Sequence, residues 1–109
     1  TEVLGLTPTM RLGNHAVFLA AGGYHHHVAA NSWESAGAPP PPPDSLGLRY
    51  VTCVLPGAEW LPRLEAHLQA LGVPYDQQRE ALSLRDPAGN RIHVVCATAV
   101  GARFREAAA

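Results

Sequence analysis

Residues 81–97, ALSLRDPAGNRIHVVCA, decide how the rest of the chain is read. Ala81–Arg85 and Arg91–Ala97 each read as a strand. Leu82 and Leu84 alternate with polar neighbours in the first, and β-branched residues that suit a pleated surface dominate the second. Between them Asp86-Pro87-Ala88-Gly89-Asn90 concentrates turn formers, with Asp86 expected to cap its own turn through a local side-chain bond. The stretch is a hairpin, and the residues before it supply what a hairpin of this kind needs.

Upstream, Tyr75–Gln78 is a third short strand. Glu59–Leu71 is an amphipathic helix, because Leu61, Leu64, Leu68 and Leu71 recur at i, i+3, i+7 and i+10. Pro62 falls in the first turn, where its missing N–H breaks no ladder bond. Gly72 closes the helix. Leu48–Leu55, LRYVTCVL, is a strand before it. Residues 47–97 therefore read β-α-β-β-β.

The first part of the chain reads as the end of the same pattern. Glu2-Val3-Leu4 with Gly5 has the form of a last helical turn closed by glycine, as though the chain opened within a module. Strands are expected at Thr9–Leu12, His15–Ala20 and His25–Trp33, joined by Gly13-Asn14 and Gly22-Gly23. Residues 1–33 thus form a partial first module and residues 34–46, with five consecutive prolines, a stiff linker. Residues 98–109 are a tail with little structural signal. The fold class is α+β: two βαβββ modules in tandem, the first truncated at its N-terminus.

Bulk properties narrow the function classes. With 109 residues and a net charge of −1 the chain suits one modest core, and without any lysine or basic cluster it lacks a nucleic-acid footprint. No apolar run approaches the roughly 20 residues of a membrane helix, and no signal peptide is visible. Cys53 and Cys96 sit in apolar runs as small hydrophobes, compatible with a reducing compartment. A cytoplasmic protein, acting neither on nucleic acid nor on a membrane, is the expectation.

The stretch GGYHHHVAANSW at 22–33 carries the densest chemistry. Three histidines inside the chain, bracketed by turn and strand residues, are not an affinity tag. If 25–33 is one strand, alternation puts His25, His27, Asn31 and Trp33 on one face and His26 with Val28 and Ala30 on the other. The same logic sets Arg91 and His93 apart from Ile92, Val94 and Cys96, and Tyr50 and Thr52 apart from Val51, Cys53 and Leu55. His26 then packs structurally, His67 is solvated on its helix, Trp60 packs, and Glu80 belongs to a turn rather than a site. There is no phosphate loop, CxxC pair or nucleophile elbow.

The tandem βαβββ pattern, with DPAGNRIHVV as its last hairpin, resembles the vicinal-oxygen-chelate superfamily of glyoxalases, extradiol dioxygenases and bleomycin-resistance proteins. AGGYHHHVAANSWES, the proline-rich linker and GLRYVTCVLP are similar to the C-terminal half of catechol 2,3-dioxygenase-like proteins. The resemblance implies curved mixed-sheet half-barrels around a cavity with a divalent metal: Fe(II) first, otherwise Mn, Ni or Zn. It maps the family's His and Glu ligand positions onto Tyr50 and His93, with the leading position before Thr1. His27 and His93, pseudo-equivalent on the two closing strands, are the candidate metal ligands. His25, His27 and Tyr50 are the candidate catalytic groups, and Asn31, Trp33, Thr52 and Arg91 the substrate-binding ones, Arg91 being able to hold a carboxylate or phosphate.

Two functions follow. One is a metal-dependent ring-cleaving dioxygenase or glyoxalase-type lyase, in which the metal chelates two vicinal substrate oxygens. The alternative is a non-catalytic module of the bleomycin-resistance kind that binds a small oxygen-rich or aromatic molecule without metal. Either is expected to form a homo-oligomer such as a dimer, or to associate with a missing N-terminal portion, because a partial module leaves a sheet edge to cover.

Overall fold

The computed structural model describes residues 2–97, so the tail expected from residue 98 onward lies outside the described residues. In chain order the elements are β1 (Thr7–Leu12), β2 (Ala16–Ala20), β3 (Val28–Asn31), β4 (Tyr50–Leu55), α1 (Trp60–Leu71), β5 (Tyr75–Gln78), β6 (Ala81–Arg85) and β7 (Arg91–Cys96). The chain divides into two compact units between Pro39 and Pro40.

The second unit is a complete βαβββ module, a curved mixed sheet in the order β4-β7-β6-β5. β4 runs parallel to β7, with Tyr50 opposite Arg91 and Leu55 opposite Cys96; the other pairs are antiparallel. A parallel pair cannot be closed by a tight turn, so the chain crosses over through α1 before returning. The helix covers one face. Leu68 and Val94 are fully buried, and Leu82, Leu84 and Cys96 nearly so.

The leucine stripe holds for Leu61, Leu64 and Leu68 but not for Leu71, which is exposed. Ten residues after Leu61 the helix has rotated about 80° short of three full turns, so Leu71 leaves the buried face at the helix end. Gly72 then adopts φ 67°, and its N–H and that of Val73 close onto the carbonyls of Gln69 and Leu68. Arg63 lies 5.1 Å over the Trp60 ring, so Trp60 packs along its own helix. The Tyr75 hydroxyl donates to Glu65 Oε1 at 2.9 Å and accepts from Gln69 Nε2 at 2.8 Å, tying β5 to the helix.

The first unit is a three-stranded antiparallel sheet in the order β1-β2-β3, the last three strands of the same pattern. It follows a turn over residues 2–4 that ends at Gly5 with φ 70°, as a terminal helical turn would. Between β3 and β4 there is no strand or helix, and residues 34–50 are exposed throughout. β1 begins two residues earlier than expected, β4 two later and α1 one later, within ordinary fraying. The real departure is β3. The nine-residue strand expected over His25–Trp33 is four residues long, and the three histidines precede it in a bend.

Neither cysteine is in a disulfide. Both sit on the helix-covered side, and burial pushes the Cys53 thiol above its usual range. No helix among the described residues is long and apolar enough to cross a membrane.

Leu68→Ala should destabilise the protein by about 2–5 kcal/mol, read as a lower urea midpoint at unchanged slope. Gly72→Ala meets no neighbouring atom, so its cost is the left-handed backbone alone, about 1–2 kcal/mol in the same experiment. A thiol-specific reagent at neutral pH should modify the native protein much more slowly than the urea-unfolded chain.

Candidate functional site

The expected site residues fall into two groups, one in each unit. In the first unit the Gly22-Gly23 turn, with φ of 64° and 74°, leads into Tyr24 and the histidines. Tyr24 lies against both His25 and His27, with ring centroids 4.1 and 4.9 Å away. His25 and His27 are exposed, whereas His26 is half-buried and meets Phe18 edge-on at 5.2 Å. Phe18 pairs with Ala29 and so shares the face of Asn31. The strict alternation expected from His25 to Trp33 therefore does not carry through the bend.

Backbone bonds account for much of this local geometry. The His27 N–H donates to the Leu19 carbonyl at 2.8 Å, extending the β2–β3 ladder by one residue. Its Nδ1 accepts from the Ala21 N–H at 3.2 Å, which leaves only Nε2 for a ligand. The Thr9 hydroxyl lies 2.5 Å from the His25 carbonyl and 3.3 Å from that of Phe18; having one proton, it donates to the nearer. Asn31 Oδ1 accepts from the Trp33 N–H at 3.3 Å, an Asx-type turn that ends the strand. Trp33 consequently stands beyond β3, exposed.

In the second unit the expected residues come together on the sheet face away from α1. Tyr50, at the start of β4, stacks on His93 of β7 with centroids 4.5 Å apart and planes within 11°. Adjacent strands fix the rows around them. One row is Tyr50, Arg91 and Arg85; the next is Thr52, His93, Ser83 and Asp76. Each residue in a row projects to the same side. His93 is thus half-buried between two hydroxyl-bearing neighbours, with Arg91 two residues before it on the same face. Ser83 and Arg85 were not among the sequence candidates. The five-residue turn Asp86–Asn90 sets 85 against 91 and 83 against 93, so counting outward from that turn would have found both.

Among the described residues no group of three or more His, Cys, Asp or Glu side chains is placed to hold a metal ion. The chemistry of the donors agrees. Two rings ligating one cation must aim their edge heteroatoms at a single point, whereas Tyr50 and His93 pack face to face. The neighbours of His93 are hydroxyls and a guanidinium rather than carboxylates. Among the described residues, this set does not fit a divalent cation.

Several solved structures are similar to the chain. Lactoylglutathione lyase from Agrobacterium tumefaciens superposes with a TM-score of 0.68 at 21% identity, covering 92% of this chain and 81% of that one. The chain has the vicinal-oxygen-chelate fold. A glyoxylase/bleomycin resistance protein/dioxygenase domain from Frankia sp. EAN1pec matches with a TM-score of 0.62 at 19% identity over 88% of this chain and 81% of that chain. A protein of the same description from Alicyclobacillus acidocaldarius matches at 0.59 and 13% identity, over 86% and 74%. No family model and no curated protein matches the sequence. Likeness at this identity establishes the vicinal-oxygen-chelate fold and leaves the choice among its many chemistries to the site itself.

His27→Ala should remove the acceptor for the Ala21 N–H. Hydrogen exchange at Ala21 should then quicken several-fold while amides in β6 and β7 are unaffected, as followed by NMR.

Proposed function

We propose that the chain is a metal-free small-molecule-binding module of the bleomycin-resistance kind, which holds an oxygen-rich or aromatic compound on the open face of its second sheet. The observation that carries this reading is the Tyr50–His93 stack, an aromatic platform bordered by Thr52, Ser83 and Arg91. A flat ring gains contact on such a platform, and the bordering groups supply both donors and acceptors for its oxygens. The ring-cleaving and glyoxalase-type reactions need about three protein ligands and an open position on a metal, and the donor set around His93 supports binding better than coordination.

The roles expected of His25 and His27 are a separate proposal, confined to the first unit. His27 has one ring nitrogen available and His25 has both, so each can bond a polar substituent. Asn31 is less suited, because its side-chain carbonyl already closes the turn to Trp33.

Isothermal titration with catechol should detect binding that His93→Ala and Tyr50→Ala each weaken by about tenfold, while Tyr50→Phe, which keeps the stacking surface, stays within a few-fold of the parent. Elemental analysis of protein purified without metal-affinity resin should find no stoichiometric Fe, Mn, Ni or Zn. A bound metal that disappears in His93→Ala would replace this reading with the enzymatic one.

A further inference from the structure

We infer that the open face selects for small ring-bearing acids, holding the anionic group over Arg85 and Arg91 while the ring rests on Tyr50 and His93. This rests on the binding reading above and names its ligand class.

Arg85 and Arg91 lie directly opposite each other across β6 and β7. Like charges in that position repel and cost stability unless something offsets them. Nothing described does so fully. Asp86, the carboxylate next in sequence, spends both oxygens on Asn90: Oδ1 accepts its backbone N–H and Oδ2 its side-chain amide, each at 2.8 Å. Asp76 lines the same pocket, which leaves one net positive charge among the three groups.

The turn does more than connect two strands. Arg85 Nη1 donates to the Gly89 carbonyl at 2.8 Å, so the backbone of the hairpin anchors its guanidinium. A guanidinium held through one N–H keeps others free, and its planar fork matches a carboxylate or phosphate with two parallel bonds. Arg91 carries the opposed charge, and Ser83 adds a hydroxyl to the lining. The pocket of about 230 Å³ at this corner is smaller than the roughly 300–1,000 Å³ of drug-sized sites, so the ligand is small.

Arg91 joins the two parts. It sits between Tyr50 and Arg85 in one cross-strand row, and strands are about 4.8 Å apart. From the stack to the arginine pair is therefore one or two strand spacings, the reach of a single ring bearing one acidic substituent.

The test titrates the whole chain at low ionic strength with benzoate, phenyl phosphate and their uncharged counterpart benzamide, alongside inorganic phosphate alone. The acids should bind at least tenfold more tightly than benzamide. Arg85→Gln and Arg91→Gln, with thermal midpoints checked against the parent, should each remove most of that advantage, and Arg85→Gln should leave benzamide unchanged. Whichever of benzoate and phenyl phosphate keeps the larger advantage identifies the anion as carboxylate or phosphate. Equal binding of acids and benzamide overturns the inference, and so does an advantage that survives both variants. If benzamide binds in a His93-dependent way without any preference for acids, the platform stands and the anion site falls. If inorganic phosphate binds through the two arginines but no ring compound does, the anion site stands and the platform falls. Absence of binding by every probe overturns both.

Discussion

The second unit depends on β7. Its one strand takes β4 in parallel on one side and β6 in antiparallel on the other, and its two faces do opposite work. Val94 and Cys96 point into the core beneath α1. Arg91 and His93 point to the open face. Because side chains alternate strictly along a paired strand, burying Val94 is what presents His93, and a slip of one residue would exchange the two sets. The buried leucines of α1 and β6 therefore stabilise the site as well as the core, although none of them lies on the site's face.

The chemistry of that face follows from its neighbours rather than from the histidine alone. A half-buried imidazole beside carboxylates becomes a metal ligand or a charged pair. Beside Thr52 and Ser83, and stacked on a phenol, it is a flat hydrogen-bonding surface. Tyr50 and His93, onto which the family resemblance maps two ligand positions, are brought into contact by the fold, and their neighbours differ from the carboxylate that a ligand set would include.

Much of this architecture was legible in the sequence, and the parts that were not have definite causes. β5 and β6 begin and end where alternation and turn residues put them, and Gly72 closes α1 as expected. The face shared by Tyr50, Thr52, Arg91 and His93 was recoverable because polar and apolar residue types alternate from Tyr50 to Cys53 and from Arg91 to Val94. The histidine run was misread as strand because three imidazoles offer no apolar alternation to test, and two left-handed glycines just before them turn the chain in a way that composition does not reveal. Arg85 escaped notice because its importance lies in register and in a bond to the backbone carbonyl four residues further along the hairpin, neither of which a residue-by-residue reading weighs.

β4 has a consequence of a different kind. It is the outermost strand of its four-stranded sheet, six residues long, and YVTCVL carries no charge, no proline and no glycine. Such a rim can template the addition of further chains, the first step towards fibrils. Charge and ring constraint appear only at its ends, where Arg49 and Pro56 bracket the run as gatekeepers. The two residues that bracket this rim lie outside the helix-covered core, so the rim's protection against added strands is set apart from the packing that stabilises the fold.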